Sequence, residues 1–194
     1  MMLSLDMLFS AYCQGVFPMA NQDGDIYWYD PDPRAILPLE RFHIPRSLKR
    51  TLKKRPFEIR YSTAFEDVMR ACAAPDQGRE ETWISEELVQ LYTGLHQHGL
   101  AHSVETWQDG KLVGGLYGVA IRGLFAGESM FSWQTDASKV ALFYLVSRLK
   151  QQHFQLLDVQ FHTAHLARFG VVEIPRPAYK RRLEQALRVD TRFL

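Results

Sequence analysis

The stretch HSVETWQDGKLVGGLYGVAIRGLFAGES, residues 102–129, decides the fold. His102 to Trp107 and Lys111 to Ile121 are rich in β-branched and aromatic residues and flank Asp109-Gly110. An Asp-Gly pair tolerates the positive φ angles of a tight hairpin turn, so the two runs read as antiparallel neighbours. Arg122-Gly123 marks a second turn before Leu124 to Ser129, which makes the centre of the chain a three-stranded meander.

Downstream, Asp136 is expected to cap a helix running to about Gln151. Its Val140–Val146 run is apolar on every side, which predicts burial. Phe154–Gln160 reads as an inner strand, followed by a short helix near Ala164–Phe169, a strand at Val171–Ile174 and a basic C-terminal helix. Upstream, Ser85–His98 reads as a helix with Leu88, Leu91, Tyr92 and Leu95 on one face. The polar stretch from Ala74 to Thr82 is expected to be a mobile loop. Thr63-Ala-Phe-Glu66 has the spacing of a capping box opening a helix to about Ala73. Phe57–Tyr61 reads as a strand, and Pro45–Lys54 as a helix stopped before Pro56. Pro31, Pro33 and Pro38 keep their segment extended, beyond a short strand Ile26–Tyr29. The turn-rich Asn21–Asp25 precedes that strand. Ser4 caps a first helix to Tyr12, and Gly15 ends it.

A meander followed by helix, strand, helix and strand predicts an α+β fold, a mixed and mainly antiparallel sheet with flanking helices. That order is the one expected of a GNAT-like (acyl-CoA N-acyltransferase-like) domain. The prolines divide the chain into a short N-terminal segment, residues 1–32, and a main domain, residues 33–194.

Composition limits what such a fold can do. The net charge of +1 over 194 residues makes the molecule no general polyanion binder, so a nucleic-acid site has to be a local patch. Two cysteines, Cys13 and Cys72, build no disulfide framework and suit a reducing compartment. The N-terminus lacks a basic start and a long apolar run, and no stretch is long enough to span a bilayer. A cytoplasmic protein with no cofactor and no metal site is expected.

Four features carry chemistry. Between Arg46 and Arg55 six of ten residues are cationic. Arg46, Arg50, Lys53 and Lys54 share a helical face opposite Leu48 and Leu52. Such a face suits phosphates along an RNA backbone, though surface helices often carry such charge. Aromatic residues are plentiful and mostly read as core. Trp83 differs, because it lies between a polar loop and a helix start, where a base-stacking role suits it. Glu128 sits in an apolar setting and needs a partner if buried, which a cationic amine would supply. Finally, alternation along Leu157-Asp158-Val159-Gln160 sets Asp158 and Gln160 together on one face. Strand-end positions satisfied by water or backbone are the alternative for these last two features.

Other chemistries lack their motifs. The chain has no Walker A loop, dinucleotide fingerprint, nucleophile elbow or His-Glu-x-x-His pair. His162 and His165 lack a third metal ligand and read as structural. An acetyltransferase would cradle coenzyme A pyrophosphate on a glycine-rich turn, whereas Ser132–Asp136 is not glycine-rich and ends in a carboxylate. A small-molecule acetyltransferase and a non-catalytic RNA-binding module remain the alternatives to an aminoacyl transferase.

Several ordered segments together resemble the leucyl/phenylalanyl-tRNA–protein transferases. They are Ala11–Pro18, Tyr27–Ala35, His43–Arg50, Thr82-Trp83-Ile84, Ala101–Glu105, Leu112–Ala120, Gly127–Ser132 with Ala137-Ser138-Lys139, and Leu157–Gln160. The short start resembles the short family form. The resemblance implies transfer of Leu or Phe, with leakage to Met, from aminoacyl-tRNA to the α-amino group of proteins with N-terminal Arg or Lys, marking them for degradation. It implies an aminoacyl pocket of Leu116, Phe125, Met130, Leu142, Leu145 and Leu157. Trp83, with Met19 where relatives carry an aromatic ring, would meet the terminal adenosine. Arg46, Lys49, Arg50, Lys53 and Lys54 would hold the acceptor stem. Asp158 and Gln160 would be the reaction-centre pair, with Asp158 taking the proton directly or through Gln160, and Glu128 would lie beside the aminoacyl group. Thr163 stands where relatives carry an asparagine, and Leu145 where an aromatic is common.

Overall fold

The computed structural model describes residues 3–21, 23–74 and 82–194. Most of the expected 74–82 loop lies outside the described residues. Nine strands and seven α-helices are present among them: α1 (Leu5–Cys13), β1 (Phe17–Ala20), β2 (Ile26–Tyr29), β3 (Arg34–Ile36), α2 (Arg46–Lys54), β4 (Glu58–Tyr61), α3 (Phe65–Ala73), α4 (Glu86–Gln97), β5 (Ala101–Gln108), β6 (Lys111–Ile121), β7 (Leu124–Ser132), α5 (Ala137–Gln151), β8 (Leu156–Gln160), α6 (Ala164–Ala167), β9 (Val172–Ile174) and α7 (Arg176–Ala186). A 3-10 turn occupies Leu39–Arg41.

The predicted meander is the centre of a seven-stranded sheet ordered β4-β5-β6-β7-β8-β3-β9. Every pairing is antiparallel except β7 with β8. β1 and β2 form a separate two-stranded sheet. The sheet is therefore mixed and mainly antiparallel, with helices on its faces. The proline-rich segment did not read as a strand, yet it supplies β3. Three residues of β3 close the gap between β8 and β9, a long-range pairing that no local pattern encodes.

Alternation along β6 divides the core. Leu116 and Ala120 pack with α5, while Tyr117, Val119 and Ile121 pack with α1, α3 and α4. Two glycines are fixed by close approach. A Cβ on Gly114 would lie 2.4 Å from the Ala137 Cβ, so glycine lets α5 settle on the sheet. A Cβ on Gly118 would lie 2.3 Å from the Ala126 carbonyl oxygen, where the β6–β7 register shifts.

Two expected caps are replaced. The capping box at Thr63 is not made. Instead the buried Glu105 carboxylate on β5 accepts from the Thr63 and Ala64 amides at 2.8 and 2.9 Å, neutralising the start of α3. Burial works against the charge, but hydrogen bonds from Thr63, Ala64, Ser103 and Trp107 outweigh it and lower the Glu105 carboxyl below the ordinary range. Asp136 precedes α5 with a left-handed φ of 66° and caps no amide. The cap is Ser132, whose Oγ accepts from the Ser138 amide at 3.1 Å. The Asp136 carboxylate instead binds Lys139 and Thr51.

Candidate active site

β7 and β8 pair over three residues only, Leu124 with Leu156, Phe125 with Leu157 and Ala126 with Asp158. Beyond that point they part, and a cavity of about 290 Å³ opens between them. Leu116 from β6, Met130 from β7, Leu142 and Leu145 from α5, and Leu157 from β8 converge on it. Met19 from β1 and Trp83 from the segment before α4 complete the wall on the other side of the sheet. Thr163, His165 and Leu166 line it from α6 and its cap, so His165 faces the cavity rather than serving only packing.

Phe125 does not reach this cavity. It is fully buried and tilts against Phe193 at 5.3 Å between centroids. It packs in the cluster that α5 covers, so the ring supports the wall from behind.

The polar end of the cavity is built around Glu128. Its Oε1 accepts from the Tyr12 hydroxyl at 2.7 Å and from Gln160 Nε2 at 2.9 Å. Its Oε2 accepts from the Tyr92 hydroxyl at 3.3 Å. The two tyrosine hydroxyls also lie within bonding distance of each other, so their two protons are shared among the three contacts. Glu128 keeps some exposure through the cavity mouth, while its carboxyl lies deep. Burial raises this carboxyl to about 7, and the nearby Asp158 charge adds to the rise; the bonds from Tyr12, Gln160 and Tyr92 act in the opposite direction. The Tyr12 and Tyr92 phenols are pushed up by burial and by the Glu128 charge, so both remain donors.

Asp158 departs from the sequence expectation. Its side chain is 1% exposed and points away from the cavity. Oδ1 accepts from Arg34 Nε at 3.0 Å, and Oδ2 from Arg34 Nη2 at 2.6 Å and the Tyr179 hydroxyl at 2.7 Å. With both oxygens engaged there, Asp158 cannot meet an amine in the cavity directly. Strict alternation would have sent Gln160 the same way. Gln160 instead has a left-handed φ of 64°, which turns its side chain to Glu128. Its backbone amide donates to Asp158 Oδ1 at 2.9 Å, so the two residues remain linked.

The basic helix is as drawn from sequence. Leu48 is buried and Leu52 partly buried, while Arg46, Lys49, Arg50, Lys53 and Lys54 are exposed. None of these five has an acidic partner within 4 Å among the described residues. Among the described residues no cluster of metal-ligating side chains occurs, and no helix is long and apolar enough to cross a membrane.

Sequence reading missed Tyr12, Tyr92, Arg34 and Tyr179. Tyrosines on the apolar faces of α1 and α4 read as core, and their hydroxyls gain meaning only from Glu128. Arg34, the first residue of β3 after two prolines, carried one signal: a lone cation before the apolar run Ala35–Leu37.

A family model described as leucyl/phenylalanyl-tRNA protein transferase matches residues 36–184, and one described as its N-terminal domain matches residues 1–32. The leucyl/phenylalanyl-tRNA–protein transferase of Herpetosiphon aurantiacus is 59% identical over 192 residues, covering 98% of this chain and 98% of its own. That of Paramagnetospirillum magneticum is 57% identical over 187 residues, covering 95% and 90%. That of Gloeobacter violaceus is 53% identical over 192 residues, covering 98% and 97%.

Proposed function

This chain belongs to the leucyl/phenylalanyl-tRNA–protein transferase family, and we propose that its cavity holds the donor's esterified side chain while Glu128 and Gln160 manage the incoming amine. The observation that carries this reading is the Glu128 carboxyl, bonded to Gln160 and raised to about 7, at the polar end of a leucine-lined cavity. A free α-amine titrates near roughly 8, so at neutral pH the acceptor arrives mostly as ammonium. A base matched to that range is the effective one.

In this mechanism Glu128 takes one proton from the ammonium and passes it to solvent. The amine nitrogen then attacks the ester carbonyl carbon, a C–N bond forms, and the bond to the ribose oxygen breaks. The second proton goes to that departing oxygen. The ester is already activated, so the larger task is orientation, which the cavity and Gln160 perform. Asp158 acts through the Gln160 backbone.

The finer assignments belong to the same proposal. Trp83 and Met19 pack beside the terminal adenosine. Arg46, Lys49, Arg50, Lys53 and Lys54 contact acceptor-stem phosphates, which position the tRNA without reading its sequence. Acceptors carry N-terminal Arg or Lys, are thereby marked for degradation, and are met in the cytoplasm. The main domain, residues 33–194, is GNAT-like. Its support is the antiparallel meander, α5, and then a parallel strand that parts from its neighbour at the site. A division near residue 32 fits the limits of the two family models.

The deciding experiment is transfer of labelled leucine from leucyl-tRNA to a protein with N-terminal arginine, comparing wild type with Glu128→Gln. Robust transfer by wild type and its loss in the variant are expected. Equal rates would remove Glu128 as the base, and no transfer to arginine by wild type would remove the acceptor assignment.

A further inference from the structure

Arg34 is among the largest side chains fully buried in the protein, and the reaction as proposed gives it no role. Its guanidinium lies between two rings, 4.7 Å from the Phe17 centroid and 4.4 Å from that of Tyr179. The fork bonds both oxygens of Asp158, and Nη1 donates to the Gly15 carbonyl at 3.0 Å. Burial works against the charge, but the bonds and charge of Asp158 keep the guanidinium protonated, above its ordinary range.

These contacts join two parts of the chain. Gly15 and Phe17 follow α1, whose Tyr12 donates to Glu128. Asp158 holds the Gln160 amide, and Gln160 donates to the same Glu128 oxygen. The two donors that fix Oε1 therefore reach it from opposite ends of one Arg34-centred assembly. Only a planar fork with several donors can serve Asp158 and a carbonyl at once, which a lysine ammonium does poorly.

We infer that Arg34 is a positioning residue for aminoacyl transfer: by clamping the Gly15–Phe17 segment onto Asp158, it sets Tyr12 and Gln160 on the Glu128 carboxylate from two sides. The inference rests on the reading of Glu128 as the reaction-centre carboxylate. Removing the guanidinium would release both donors and leave Asp158 without its cation. Glu128 is faced by Tyr12 from α1, Tyr92 from α4, and Gln160 and Asp158 from β8, with His165 on the cavity wall. Each loss disfavours its charged form, so the acidic limb of the rate profile should move to higher pH.

The test compares Arg34→Met, Arg34→Lys and Tyr179→Phe with wild type in full-length enzyme, with leucyl-tRNA and an N-terminal-arginine protein as substrates. Arg34→Met is expected to lower kcat roughly tenfold to a hundredfold, the scale of a small misplacement at a reaction centre. KM for tRNA should stay within about twofold, and the acidic limb should shift upward. Arg34→Lys should recover part of kcat and part of the shift. Tyr179→Phe removes one bond to Asp158 with little change in packing and should lower kcat severalfold at a temperature where the variant is fully folded, which keeps the test open if Arg34→Met does not fold. Wild-type kcat in both Arg34→Lys and Tyr179→Phe, or a loss confined to KM, overturns the inference. Glu128→Gln separates it from its premise. If that variant turns over normally with a wild-type profile, the base reading fails by itself, whereas normal kcat in the Arg34 and Tyr179 variants beside an impaired Glu128→Gln fails the positioning role alone.

Discussion

The Thr51 hydroxyl donates to Asp136 Oδ2 at 2.8 Å, tying the basic helix α2 to the start of α5. The carboxylate is also paired with Lys139 at 2.6 Å and is held below its ordinary range chiefly by that bond. Because Leu142 and Leu145 lie further along α5, one rigid helix relates the exposed cations to the cavity wall. On the proposed reading, a phosphate bound on α2 would be tied through this contact to the helix that walls the cavity.

The basic face should act on tRNA affinity and leave the chemical step alone. Replacing Lys49, Arg50, Lys53 and Lys54 by Ala is expected to weaken tRNA binding. The slope of log affinity against log salt should fall by roughly 0.7–0.9 for each cation that met a phosphate. At saturating tRNA, kcat should stay within about twofold. Filter binding across a salt series checks this, and an unchanged slope would exclude α2 from the interface.

The rate should depend on pH through Glu128. With its carboxyl at about 7, transfer is expected to rise with pH up to that region and then level, since the base works deprotonated. Glu128→Gln should flatten that limb and lower kcat roughly 10²–10⁴-fold. Stability carries the opposite sign. A carboxyl raised from 4.5 to about 7 on folding stabilises the native state at low pH and loses that contribution as pH rises through 7. Glu128→Gln should therefore raise the melting temperature at pH 8 and leave it nearly unchanged at pH 4. Calorimetry at the two pH values reads the difference.

The elements that were legible in the sequence were those fixed locally. Asp109-Gly110 dictated the hairpin, and the apolar spacing of Leu88, Tyr92 and Leu95 dictated α4. The cavity leucines followed from the family resemblance and converge in space. What stayed illegible was set at long range. The capping box at Thr63 lost to Glu105, 42 residues away, because a buried carboxylate meets the start of α3 directly. Asp158 and Gln160 were assigned one face by alternation, but a single left-handed residue at the end of β8 separated them. Arg34 could not be matched to Asp158 across 124 residues of sequence without the sheet order that makes β3 and β8 neighbours.

Donor choice should respond to the wall of the cavity. Met130 lines it and is partly exposed, so Met130→Ala enlarges the space at modest cost to the core. The variant is expected to favour phenylalanyl over leucyl donors by roughly tenfold, within the 1–3 kcal/mol that a methylene-sized difference is worth. Competition between the two charged tRNAs, read as the ratio of kcat/KM values, tests it. An unchanged ratio would take Met130 off the selecting wall.

Phe125 provides the contrast, because the sequence reading placed it in the cavity and the structure sets it behind. Its ring is wholly buried against Phe193 and Leu157, in the core that α5 covers. Phe125→Ala is thus expected to cost about 3–5 kcal/mol of stability, the range for deleting a buried aromatic ring. It should do so with the leucyl-to-phenylalanyl ratio unchanged at a temperature where the variant is folded. Urea unfolding measures the first quantity and donor competition the second. A variant of near wild-type stability with altered donor preference would return Phe125 to the cavity wall; loss of stability at constant preference separates the residues that shape the cavity from those that hold the shape.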